Sequence, residues 1–153
     1  MAATAWQVYY KAKQYLGDNT IQLGTAQMRM VLASAGSNAA TLTLSNYVVG
    51  GASGLNGEVA AGGTYVQGGN AFTPTFSGGT VTAAKYTMAT AGVAFTASGS
   101  NITGVKFAVI RSSATSTTGK LLCFCQLSSA NFNVVAPNTL TVLPAAAGIF
   151  TLT

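Results

Sequence analysis

The amino-acid sequence predicts an all-β domain, an antiparallel sandwich or jelly-roll-like fold with one short N-terminal helix. Three observations carry the prediction: short apolar runs with period-two alternation, turn signals between them at roughly ten-residue spacing, and one helical period confined to the N-terminus. The 153 residues suit a single domain spanning 1–153, because a chain of about 150 residues buries roughly 70% of its unfolded surface. No internal repeat or second domain stands out.

The helix is expected over residues 3–16, where Trp6, Tyr9, Tyr10, Lys13 and Leu16 fall near one face and Gly17-Asp18-Asn19 end the run. A helix of this length is marginal alone, so its aromatic face must dock on its own sheet or on a neighbouring subunit. From Thr20 the period changes to two. Met28, Met30 and Leu32 share one face with Arg29 opposite, which marks the first core strand of a β-sandwich over residues 20–153.

A long insertion rich in Gly, Ala, Ser and Asn follows at about 33–79, with a short strand or helix expected in 42–49 and a strand in 64–76. Loops of that length in a compact domain are functional or ordered by a partner. Clearer strands are expected at 80–87, 92–96, 105–111, 120–127, 138–143 and 149–152. Turns fall between them at Ser98–Asn101, Ser112–Gly119 and Pro137-Asn138.

Composition excludes most acid–base chemistry. There is no His, and Asp18 and Glu58 are the only carboxylate side chains, whereas general acids, bases and metal ligands are drawn mainly from His, Asp, Glu and Cys. No catalytic residue, metal site or cofactor is expected, and the chain reads as a non-enzyme. Charged residues make up 6% of the chain against about 25% in ordinary soluble domains. So few charges do not keep a free surface soluble, which implies a surface covered by copies of itself or by partners.

The net charge of +5 raises the question of nucleic acid, which needs clustered Lys and Arg. Lys11 and Lys13 lie on the expected helix, Arg29, Lys85, Lys106 and Arg111 are scattered through expected strands, and Lys120 lies at a turn. They read as solubilising charges, with no nucleic acid as partner. The first residues lack a secretory leader, and no stretch of about twenty residues is apolar enough for a membrane helix. An eight-stranded membrane barrel would fit the length but finds no charged lumen-facing set, so no membrane is expected as partner.

Cys123 and Cys125, two apart on a strand, point to one face about 6–7 Å apart and read as small buried apolar residues. The glycine pairs at 50–51, 62–63, 68–69 and 78–79 are not followed by a Gly-Lys-Ser/Thr run and read as turns with positive φ. Glu58 sits in a glycine-rich stretch. A buried Glu would need Lys106 or Arg111, or backbone amides to cap, and exposure is the simpler reading.

In order along nearly the whole chain, the sequence resembles small virion structural proteins of tailed bacteriophages. The resemblance is carried by the aromatic segment Trp6 to Leu16, Ile21-Gln22-Leu23 leading into Met28–Leu32, Glu58-Val59, and Gly63-Thr64-Tyr65-Val66-Gln67-Gly68-Gly69. It continues through Phe107–Ile110 with Leu121-Leu122 after a polar turn, and the terminal Gly148–Thr153. The chain departs from it at Gly24 and Thr25, where such proteins carry more Asp, which bears on surface chemistry and hence on the partner.

The resemblance implies a β-rich domain located in the virion, made in the host cytoplasm, which decorates or cements the capsid by multivalent contacts with neighbouring shell subunits. Its partners would be the major capsid protein or another virion protein, together with further copies of itself in a homo-oligomer. A tail or connector component of the same particle is the first alternative, and a host-surface carbohydrate-binding adhesion module the second. Aromatic anchors for the interface are expected at Trp6, Tyr10, Tyr47 and Phe72.

Overall fold

The alternating run Met28–Ala33 and the apolar runs Phe107–Ser112 and Thr118–Gln126 form strands that pair with one another and make the middle of the main sheet. The chain is seen in a computed structural model that describes residues 3–23, 27–49, 54–78, 84–88, 92–112, 115, 117–144 and 148–152. In chain order, the first half comprises β1 (Gln7–Val8), α1 (Tyr10–Gly17), β2 (Met28–Ala33), β3 (Asn46–Val48), β4 (Asn70–Phe72) and β5 (Pro74–Gly78). The second half comprises β6 (Ala84–Met88), β7 (Val93–Thr96), β8 (Ile102–Val105), β9 (Phe107–Ser112), β10 (Thr118–Gln126), β11 (Phe132–Val134), β12 (Thr139–Val142) and β13 (Phe150–Leu152).

The main sheet runs β1-β10-β9-β2-β4, with β3 also on β10, and β5-β6-β13, β7-β12 and β8-β11 form smaller sheets. Every pairing is antiparallel. The fold is therefore all-β and sandwich-like, as the alternation predicts. Met28, Met30, Val31 and Leu32 of β2, Phe107–Ile110 of β9 and Leu121–Cys125 of β10 are all buried. Central strands covered on both faces lose strict alternation and become continuous apolar runs. Cys123 and Cys125 are free, buried thiols within this core, as expected.

Three expectations need correction. The helix does not span residues 3–16. It covers Tyr10–Gly17, because Gln7 and Val8 instead complete the edge of β10 opposite Phe124 and Cys123. Thr4 fastens the same segment by donating its amide to the Gln126 carbonyl at 2.9 Å and accepting the Gln126 amide on its hydroxyl at 3.0 Å. Pairing with a core strand outweighs a modest helical preference. The helix docks on its own domain, burying Ala12 and Tyr15, while Tyr9 packs on Phe124 with ring centroids 5.3 Å apart and donates its hydroxyl to the Ala39 carbonyl.

The second correction concerns the glycine-rich insertion, whose described parts are ordered by the domain itself. Asn38 and Asn56 exchange backbone-to-side-chain bonds at 2.8 and 2.9 Å. The Val59 amide donates to the Leu32 carbonyl and the Ser34 amide to the Gly57 carbonyl, which closes the stretch onto the end of β2. Its expected strands resolve into β3, β4 and β5, and the Gly50-Gly51 pair and Gly79 lie outside the described residues.

Thirdly, β8 and β11 pair with each other where only turn and loop were expected. Each is three or four residues long, and Gly104 within β8 has φ of 76°. Neither offers enough alternation to be recognised alone.

Candidate functional site

The described part of the insertion folds back over one face of the main sheet and places its one acid there. Alternation along β9 puts Val109 and Arg111 on that face, and the register sets Arg111 opposite Arg29 of β2 and Leu121 of β10. Tyr47 on β3 lies opposite Gly119, two residues from Leu121 on the same face. The segment from Gly54 to Gly69 covers this row. Gly68 and Gly69 have φ of 90° and 83°, values that glycine adopts without the clash a Cβ would cause. A Cβ on Gly69 would also stand 2.5 Å from the Met30 carbonyl oxygen, so the close seating of the loop on β2 requires glycine there.

The result is a linked network of named groups. Glu58 accepts from the Tyr47 hydroxyl at 2.5 Å, the Tyr65 hydroxyl at 2.6 Å and the Gly68 amide at 2.6 Å. The Tyr65 hydroxyl in turn accepts from the Leu32 amide at 3.2 Å. Arg111 is 0% exposed, and its Nε and Nη2 both donate to the Gly68 carbonyl at 3.1 and 2.5 Å. It also donates to the Thr118 and Thr115 carbonyls at 2.8 and 3.1 Å, with its guanidinium 4.3 Å from the Tyr47 ring centroid. Gly68 thus joins acid to base, its amide on Glu58 and its carbonyl under Arg111. Arg29 donates to the next carbonyl, Gly69, at 2.7 Å.

The electrostatics follow from burial. Loss of solvent, and then the Glu58 carboxylate, hold the Tyr47 and Tyr65 hydroxyls well above the usual tyrosine range. Burial pulls the Arg111 guanidinium down, Tyr47 and Glu58 push back, and Arg29 opposite adds to the lowering. The raised tyrosine hydroxyls are the donors in the bonds to Glu58. This constellation is built to hold the insertion on the sheet, since Glu58, Tyr47, Tyr65 and Arg111 all spend their polar groups on partners within the fold. Arg29, bonded to Gly69 through Nη1, keeps a buried Nε without a partner among the described residues.

The sequence-expected residues fall in different places. Tyr47 is 1% exposed and belongs to this network, so it is not a surface aromatic. Tyr10 is 58% exposed on α1. Trp6 is half-buried on the wall of a groove of about 560 Å³ formed by residues 3–6, Cys125, Leu127 and the segments around Val142 and Ile149. Phe72 is half-buried on β4, the end strand of the main sheet.

Glu58 is held, not exposed, through the amide and hydroxyl donors that burial demands. Tyr65 and Gly68 were missed. Their signal was the lone acid in an apolar, glycine-rich stretch, which has to find several donors nearby.

Basic residues distant in sequence also meet in space. Besides the Arg29–Arg111 pair, Lys11 of α1 and Lys120 of β10 converge on the Tyr15 ring, with their Nζ atoms 6.0 and 5.2 Å from its centroid. Reading all seven cations as scattered and solubilising is therefore corrected. Arg111 is structural, and the two lysines share one spot. Beside them lies an open groove of about 460 Å³ between β3 and β10, lined by Thr20, Asn46, Val48, Ser112, Thr118 and Lys120.

Comparison of the chain with protein-family models, with curated proteins and with solved structures gave no match.

Proposed function

We propose that this chain is a virion structural protein that decorates or cements a capsid, binding through a large, nearly uncharged β surface repeated in many copies. The observation that carries the reading is the shortage of surface charge. The whole chain has seven cations and two acids, and the fold withdraws Arg111 into the core and engages Glu58 with three donors. What remains outside is mostly Ser, Thr, Asn, Gly and Ala, a surface suited to broad contact with a lattice and poorly suited to a free monomer.

Many weak contacts on a rigid shell add up without any single strong site. Of the aromatics expected as anchors, the half-buried Trp6 and Phe72 and the exposed Tyr10 lie at that surface. The ordered resemblance to small phage virion proteins supports the same reading. A place in the tail or connector would use the same surface and differs only in location.

The test is quantitative mass spectrometry of purified particles split into shell and tail fractions. Hundreds of copies travelling with the shell are expected. Absence from particles, or a few copies confined to the tail fraction, would overturn the capsid assignment.

A further inference from the structure

We infer that the face around Lys11, Tyr15 and Lys120, with the adjoining groove between β3 and β10, is a docking surface for an acidic segment of a different protein. The inference deepens the proposed function by naming the chemistry of the shell partner.

It begins with how the two lysines are held. Lys11 Nζ donates to Gln14 Oε1 at 2.6 Å and Lys120 Nζ to Asn46 Oδ1 at 2.9 Å, so each is oriented by a neutral amide. Both stand over the Tyr15 ring, which is 8% exposed and therefore fixes their stems without itself being available for stacking. Two cations from a helix and a strand over one ring favour an incoming anion, and the chain's own acid that senses Lys11 is the exposed Asp18. The groove beside them adds Thr20, Ser112 and Thr118 hydroxyls and the Asn46 amide, donors that suit carboxylates.

The choice of occupant follows from charge complementarity. A second copy of this chain can bring only two acidic side chains. Glu58 is engaged by three donors within its own fold, which leaves Asp18, exposed and accepting the Thr20 amide at 3.0 Å, as the one available acidic side chain per copy. A segment that presents several carboxylates together must therefore come from another protein. Nucleic acid fits less well, because its affinity grows with the number of phosphates neutralised and its bases need exposed aromatic faces, whereas this spot offers two lysines and a covered ring.

The test uses the full chain and a capped hexaglutamate peptide, with hexaglutamine and a six-nucleotide single-stranded DNA as comparison probes, followed by NMR titration at low salt. Hexaglutamate should shift the amides around Lys11, Tyr15, Asn46 and Lys120, hexaglutamine should not, and DNA should bind more weakly. Lys11→Gln and Lys120→Gln should each weaken hexaglutamate binding about two- to fivefold, the range for exposed ion pairs.

Lys106→Gln removes the same charge at the opposite end of β9 and should leave binding unchanged, while Lys120→Arg keeps the charge and should bind like the native chain. Equal weakening by Lys106→Gln would reduce the effect to net charge and overturn the inference, as would DNA binding as tightly as hexaglutamate. Either result would leave the location of the chain in the particle untouched, so failure here is distinct from failure of the capsid reading.

Discussion

Replacing Glu58 tests whether the buried network holds the glycine-rich insertion to the sheet. In Glu58→Ala the Tyr47 hydroxyl, Tyr65 hydroxyl and Gly68 amide, now 2.5 to 2.6 Å from carboxylate oxygens, lose their acceptor together. Arg111, fully buried beside them, loses the nearby negative charge. Breaking a buried charged network costs about 3–5 kcal/mol. Because Glu58 is only partly buried and water can reach some of the freed donors, the lower end, about 3 kcal/mol, is expected.

Glu58→Gln keeps one carbonyl acceptor but turns an amide donor toward a donor, and should cost about 2 kcal/mol. With a urea slope near 2 kcal/mol/M, the midpoints fall by about 1.5 M for Ala and about 1 M for Gln with unchanged slope. In hydrogen exchange, the Gly68 amide should lose protection in both variants ahead of β9. Midpoints within about 0.25 M of the native chain, equivalent to a surface substitution, would refute the claim that this carboxylate organises the insertion.

Other consequences are equally direct. Burial pushes the Cys125 thiol up to about 12 and the Cys123 thiol well above its usual value, so neither should react with a thiol reagent at pH 8 until the chain unfolds; rapid labelling of the native protein would contradict the packing. A Cβ on Gly63, where φ is +55°, would stand 2.2 Å from the Thr96 carbonyl oxygen, whereas Gly99 at φ +74° has open space. Gly63→Ala should therefore cost more than about 2 kcal/mol and lower Tm by roughly 4–8 °C, and Gly99→Ala only about 1 kcal/mol; equal losses in thermal unfolding would count against the close contact. The Asp18 carboxyl is held below its usual range, first by its hydrogen bonds to Thr20. Its stabilising contribution should be present above the unfolded value of about 3.9 and vanish as pH falls through the lowered folded value, so Asp18→Asn should be less stable at pH 7 but match the native chain in strong acid.

The parts of the fold that could be read from the sequence are those where one residue type repeats at a strand's own period. Met28, Met30 and Leu32 with Arg29 opposite announce β2, and the apolar runs in β9 and β10 announce buried centres. Among the short elements, β7 and β12 are legible through the alternating pairs Val93/Phe95 and Leu140/Val142, whereas others are defined only by their partners. Gln7–Val8 is a strand only because β10 offers an open edge, and β8 and β11 exist only because each pairs with the other.

The candidate sites were less legible, because they are made by register and folding back. Nothing local tells that Arg29 and Arg111 face each other across β2 and β9, or that Lys120 reaches the ring of Tyr15. The lone Glu58 did carry a signal. An acid in an apolar stretch needs donors, and Tyr65 and the amide of Gly68 follow it closely in sequence. Tyr47 shows the limit of reading aromatics as surface anchors, since its ring covers Arg111 inside the domain.

The capsid assignment is tested most directly by a reconstruction of the native particle at side-chain resolution, asking where this chain's density lies. The account requires hundreds of symmetry-related copies on the shell, with the Lys11–Lys120 face against acidic residues of the shell protein. Density confined to the tail or to a single vertex would contradict it.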